Sequence, residues 1–259
     1  MQITAAVRRS IFLLLVVVLA GTARAERLID PLEITRGDYL APQYSPDGRE
    51  LLVTGPQLRG LYVATLAGRV EQLNDDPAAG VFAHWQPDGN IAFRVARRDL
   101  VMTRDKRVST AAAARPIAFT QDDRMYVVDR QGQLARIGSG DQFFGAVVSP
   151  DGDKVVFQGL TTGLYIYMRS TKTLRHIGPG TAPAWSPDSA RVAYEVTEDD
   201  GHAIVASELY IYDLAHDRVA QLTTTDRIVE RRPSFSPDGT SLAFDDNTGG
   251  IFVGRFGVR

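Results

Sequence analysis

Short apolar runs recur along the chain, each preceded by a polar turn and, before the turn, by one large hydrophobic residue. The runs are Leu51-Leu52-Val53, Ile91-Ala92-Phe93, Val155-Val156-Phe157, Val192-Ala193-Tyr194 and Leu242-Ala243-Phe244. The residues before the turns are Tyr44, Trp85, Val148, Trp185 and Phe235. Runs this short and this rich in β-branched and aromatic residues predict strands rather than helices. Between them stands a repeated turn: Ser45-Pro46-Asp47-Gly48, Gln86-Pro87-Asp88-Gly89, Ser149-Pro150-Asp151-Gly152, Ser186-Pro187-Asp188-Ser189 and Ser236-Pro237-Asp238-Gly239. Pro presets φ, Asp bonds its own backbone two residues on, and Gly accepts positive φ. A degenerate copy, Thr120-Gln121-Asp122-Asp123 after Phe119, falls in the same register, giving spacings of 41, 34, 29, 37 and 50 residues.

A second pair of strands follows in four of the repeats, as in Leu61-Tyr62-Val63 with Val70-Glu71-Gln72-Leu73, or Leu209-Tyr210-Ile211-Tyr212 with Val219-Ala220-Gln221-Leu222. Four strands repeated about every forty residues predict an all-β, six-bladed β-propeller with strands A (innermost) to D in each blade. The third repeat has room for three strands, so that blade is expected to be abbreviated; a five-bladed count would make Phe119 a coincidence. The last repeat stops after its third strand, Ile251-Phe252-Val253, while Leu32-Glu33-Ile34-Thr35 has no partners before it. The N-terminal strand is therefore expected to complete the last blade, which also removes an open sheet edge.

The first 25 residues do not fit this pattern. Arg8-Arg9, an apolar run from Ile11 to Ala20, and Ala23-Arg24-Ala25 read as a cleaved secretory signal, on the Sec or the twin-arginine route. The run is short for a membrane span, which needs about 20 residues. Residues 26–259 then form one domain, with no stable membrane span after cleavage. The chain holds 259 residues with a formal charge of −2 and no cysteine. That excludes disulfides and thiolate chemistry, and it offers no basic excess for nucleic acid. An exported, monomeric, periplasmic protein is the expectation.

The aromatic residue, the Ser-Pro-Asp-Gly turn and the apolar strand ending in Phe or Tyr resemble the WD-like repeat of the TolB-like propeller family, from about Leu32 to the end of the chain. The resemblance implies the propeller fold; propellers host many unrelated activities, so it implies no particular one. The α/β domain that precedes the propeller in TolB has no counterpart after Ala25, so a place in the Tol system is not carried over.

In such a blade the A–B and C–D turns share one face, and the B–C and D–A loops share the other. The second set is irregular and charged, which makes the mouth of the central channel on that face the candidate binding surface. Its candidate residues are Arg59, His84, Arg97, Arg98, Glu198, Asp199, Asp200, His202, Arg231, Arg232, Asp245 and Asp246. The arginine pairs could clasp an acidic partner or stand in solvent. The Glu198-Asp199-Asp200 run with His202 could hold a metal but lacks an EF-hand spacing, and a solvated loop is the plainer reading. The Asp of each repeated turn is expected to stabilise that turn, and both tryptophans to pack between blades. No G-x-S-x-G elbow, H-E-x-x-H pair or phosphate loop occurs, so no catalytic residue, metal or cofactor is assigned and the chain is not expected to be an enzyme. The function expected is a binding scaffold for a periplasmic or envelope protein, without nucleic acid. The alternative is a small-molecule or carbohydrate-binding protein, or a lyase or hydrolase, at the channel mouth, where His84, Arg98 and Asp246 could converge.

Overall fold

A computed structural model describes residues 26–111, 117–225 and 228–258. The signal segment expected at 1–25 lies outside the described residues. Six antiparallel sheets, one per blade, hold nearly all of the regular structure. Blades 1, 2, 4 and 5 run A to D in chain order, from Leu40–Tyr44 to Val70–Asn74, His84–Trp85 to Val108–Thr110, Phe143–Val148 to Thr173–Gly178, and Thr181–Trp185 to Arg218–Gln221. Blade 6 takes strands A to C from Arg231–Phe235, Ser241–Asp245 and Gly250–Val258, and its strand D from Glu26–Arg36. The N-terminal strand pairs Leu32 with Val253 and Glu33 with Phe252, closing the ring. It begins earlier than expected and carries register shifts at Ile29/Leu32 and Glu33/Thr35.

The repeated turn works as its residues dictate. Ser45 Oγ donates to Asp47 Oδ1 at 2.6 Å and accepts from the Glu50 amide at 3.0 Å, while Gly48 sits at φ 72°. The same bonds recur around Ser149, Ser186 and Ser236. Each Asp is thereby tied to its own turn. Hydrogen bonds from Ser45 and the Arg49 amide hold Asp47 below the usual carboxylate range.

Packing between blades supplies the core. Trp185 Nε1 donates to the Val147 carbonyl of the preceding blade at 3.0 Å, and Trp85 Nε1 to that of Gln43 at 3.1 Å. Buried residues of adjacent blades interleave, as where Leu209 and Ile211 meet Leu242 and Phe244. Trp185 thus buries its ring and Trp85 half-buries its own, and each satisfies its N–H.

Blade 3 has three strands, Ala118–Gln121, Arg124–Val128 and Leu134–Ile137. The sequence pattern reads the turn at Thr120–Asp123 as an A–B turn; the structure places it on the opposite face. The Asp123 carbonyl accepts from the Phe143 amide, at the start of strand A of blade 4. The turn after Val128 lies on the repeated-turn face, because Arg169 donates to the Val128 and Asp129 carbonyls and to Gly152 of blade 4's own turn. The three strands therefore run in the directions of B, C and D.

Candidate functional site

Four A strands enter the channel mouth through a bulge. Register slips between Leu40 and Gln43, Phe144 and Val147, Thr181 and Ala184, and Arg231 and Ser234. Ala41, Gly145, Ala182 and Arg232 take positive φ there, and in three of the four a proline follows. Such a bulge turns a backbone amide out of the ladder. Two of these amides find buried carboxylates on strand B of the preceding blade: Arg232 N donates to Glu195 at 2.6 Å, and Ala41 N to Asp245 at 3.0 Å.

The same carboxylates hold the predicted arginines. Arg231 Nε donates to Glu195 at 2.8 Å, and Arg232 meets Asp245 through Nε at 2.7 Å and Nη2 at 2.5 Å. Glu195 and Asp245 are buried, and the arginine side chains are 14% and 26% exposed. Burial pushes the Asp245 carboxyl up, with Arg232 opposing. Arg231, Arg232 and Asp245 thus join blades 5, 6 and 1 as one charged belt. Asp246 belongs to the adjoining turn, accepting from the Gly250 and Thr248 amides and from Arg36 of the N-terminal strand. Burial works against its charge, yet these bonds keep it below the usual range.

The remaining predicted residues lie apart from the belt. Arg59 is exposed beside the short helical turn Pro56–Leu58. Arg97 and Arg98 are exposed at a tight hairpin, with Ala96 and Arg97 in the left-handed region. His84 is exposed, its Nδ1 3.0 Å from the Phe82 carbonyl. Among the described residues no hydrogen bond joins His84 or Arg98 to Asp246. Glu198 pairs with Ala206 across the blade 5 hairpin, and the tip beyond it folds on itself. There Asp199 caps Gly201, and Asp200 accepts from His202 and Ala203 at 2.9 Å, which holds its carboxyl down. Among the described residues no group of three or more His, Cys, Asp or Glu side chains is placed to hold a metal ion.

Two features of this face went unread in the sequence. The first is a carboxyl pair between blades 5 and 6. The Thr225 amide donates to Glu208 at 2.9 Å and its hydroxyl to Glu230 at 2.9 Å, leaving one oxygen of each acid buried without a partner among the described residues. Burial raises Glu230 to about 7, and the neighbouring Glu208 adds to it. The second is a cleft of about 520 Å³ over the junction of blades 3 and 4. Arg124 and Arg136 line it, with the loop Gly138-Ser139-Gly140-Asp141-Gln142, Phe143, Leu160 and Thr161. Gly138, at φ 75°, sits where any side chain would meet the Phe143 ring at 2.6 Å. Asp141 is spent on the loop, accepting from the Thr162 hydroxyl and the Thr161, Thr162 and Gln142 amides, which holds it at about 2. None of the predicted residues lines this cleft; the Gly-Ser-Gly connection was the one local signal of it.

No family model matches the chain. Solved structures share its fold across nearly its whole length. A gluconolactonase from Xanthomonas campestris superposes with a TM-score of 0.57 at 12% identity, over 91% of this chain and 96% of that one. A streptogramin B lyase gives 0.51 at 10%, over 88% and 98%. An oligogalacturonate lyase from Vibrio parahaemolyticus gives 0.48 at 13%, over 90% and 98%. At these identities the likeness is one of fold. It nonetheless corrects the expectation that the chain is not an enzyme, which rested on missing motifs. The gluconolactonase and the streptogramin B lyase are enzymes on this fold. A propeller composes its site from loops of several blades, so catalytic groups need not form a contiguous signature. Among the described residues no helix is long and apolar enough to cross a membrane.

Proposed function

We propose that the chain takes a small molecule, to be held or turned over, in the cleft above blades 3 and 4, on the face made by the B–C and D–A loops. The observation that carries this reading is the cleft itself. Its volume of about 520 Å³ falls within the range of small-ligand sites, roughly 300–1,000 Å³. It also has a mixed lining, Leu160 giving exposed apolar surface over the buried Phe143 ring, beside arginine, serine and threonine. Its walls come from two adjoining blades and the loop that connects them. The gluconolactonase and streptogramin B lyase, both named for small substrates, fit this reading better than they fit a protein-docking scaffold. Residues 1–25 read as an export signal, so the ligand would be met outside the cytoplasm.

A thermal-shift screen of sugars, sugar acids and lactones tests it, run on the wild type and on Leu160→Trp. Leu160 is 58% exposed, so a tryptophan there fills the cleft without entering the core. At least one compound should raise the wild-type Tm and leave the variant unmoved. Compounds that shift both proteins alike would place the binding elsewhere and end this reading.

A further inference from the structure

The two arginines of the cleft stand on one face of the same strand pair. Tyr126 lies opposite Arg136 across the pair, and Arg124 is two residues from Tyr126 on the same strand. Arg124 and Arg136 are therefore diagonal neighbours, with backbones about 7–8 Å apart. Like charges so placed repel. Both side chains are exposed, and among the described residues neither makes an ion pair or a hydrogen bond. Several other exposed arginines do find a carboxylate: Arg94 with Asp99, Arg104 with Glu50, Arg107 with Asp105, Arg130 with Asp153.

The acids nearby do not fill that role. Asp141 lines the cleft, but its oxygens are taken up by the Thr161–Thr162 and Gln142 donors. Asp123 of the adjoining turn accepts from Gln142 Nε2 at 3.0 Å, and neither it nor Asp122 lines the cleft. Two positive lining charges thus face one negative charge that is already hydrogen-bonded. The loop adds donors. Gly138 and Gly140 take positive φ on either side of Ser139, an alternation that turns successive amides toward one side. Among the described residues the Ser139 and Gly140 amides make no hydrogen bond.

We propose that the cleft selects an anionic ligand of about sugar size, its carboxylate or phosphate gripped by Arg124 and Arg136 and its body lying against Leu160. A guanidinium offers paired donors that match the two oxygens of either group. The assignment rests on the cleft being the ligand site, and it adds the class of ligand.

Isothermal titration with gluconate, glucose 6-phosphate and glucose separates the two claims. Wild type should bind gluconate or glucose 6-phosphate at least about tenfold more tightly than glucose, and whichever is preferred distinguishes carboxylate from phosphate. The double variant Arg124→Ala/Arg136→Ala should weaken the anion about a hundredfold while leaving any glucose binding as it was. Both residues are exposed, and an unchanged melting curve checks that the variant folds. Glucose binding as tightly as the anions, and lost in Leu160→Trp, would keep the site and sink the anion. Anion binding that survives the double variant, or no binding of either anion, overturns the proposal. Anion binding lost in the double variant but indifferent to Leu160→Trp would keep the arginines as the anion grip and remove the cleft reading.

Discussion

Arg232 meets Asp245 at two points, Nε to Oδ2 at 2.7 Å and Nη2 to Oδ1 at 2.5 Å, with the carboxylate fully buried. Asp245 also accepts the amide of Ala41 in blade 1, so this one pair joins the last blade to the first. Removing the cation alone would strand a buried charge. Breaking such a pair from one side costs about 3–5 kcal/mol. For a domain of this size about 1 kcal/mol moves Tm by roughly 2–4 °C. Arg232→Ala should therefore lower Tm by roughly 6–20 °C, measured by circular dichroism. The pair Arg232→Ala/Asp245→Ala should recover part of that loss. A single variant that melts with the wild type would show the pair to be idle.

Glu230 gives stability a pH dependence. Its carboxyl is buried, one oxygen lacks a partner among the described residues, and Glu208 and Tyr210 stand on the facing strand. Burial sets its folded pKa at about 7, against 4.5 for the free side chain. Between those values the folded state holds a proton that the unfolded state has lost. The contribution is therefore full below about pH 4.5, declines as pH rises, and is gone above about 7. The effect is roughly 1–3 kcal/mol. Urea denaturation of wild type at pH 5, 6, 7 and 8 should show midpoints falling across this window. Glu230→Gln, which carries no titrating proton, should flatten that part of the curve. Equal slopes in both proteins would assign the effect to other groups.

What the sequence made legible was local. Ser45, Asp47 and Gly48 specify their turn through bonds spanning five residues or fewer, so four nearly identical turns and the Gln86 variant announce the blades. Strand count followed from spacing, and so did closure, since Leu32–Thr35 had no other partner. Direction is different. Thr120–Asp123 is a turn, but nothing within four residues says which face it lies on; the contact of Asp123 with Phe143 decides that. The site is less legible still. Arg124 and Arg136 look like ordinary polar positions on a hairpin, and only strand register and the loop after Ile137 bring them to one cleft. Arg231 and Arg232 read as free cations because Glu195 and Asp245 lie 36 and 13 residues away.

The bond between blades 4 and 5 through Trp185 can be tested on its own. Trp185→Phe keeps most of the buried ring and deletes the donor to the Val147 carbonyl. That leaves an acceptor without its partner and a small void, for a cost of about 1–3 kcal/mol. Trp85→Phe should act likewise on Gln43, between blades 2 and 1. Chemical denaturation should move each midpoint down without changing the slope. A midpoint unchanged in both would mean that the indole N–H bonds contribute nothing net.

Closure by the first strand carries the largest expected effect. Strand Glu26–Arg36 covers the edge of Gly250–Val258, and bonds from outside the ladder hold it as well. Arg191 meets Glu26 at 3.1 Å, Arg36 meets Asp246 at 2.8 Å, and the Leu28 amide donates to the Leu222 carbonyl at 3.0 Å. A chain beginning at residue 37 would bare a nine-residue edge with unpaired N–H and C=O groups, the setting in which strands add to one another. Such a chain should elute as oligomers on size exclusion and melt without a sharp transition. A synthetic peptide of residues 26–36, added in excess, should bind that edge as a donated strand and restore the monomer and its cooperative melting. A truncated chain that stays monomeric and melts with the full one would mean that blade 6 stands on three strands. The mutual dependence of the two chain ends would then have to be given up.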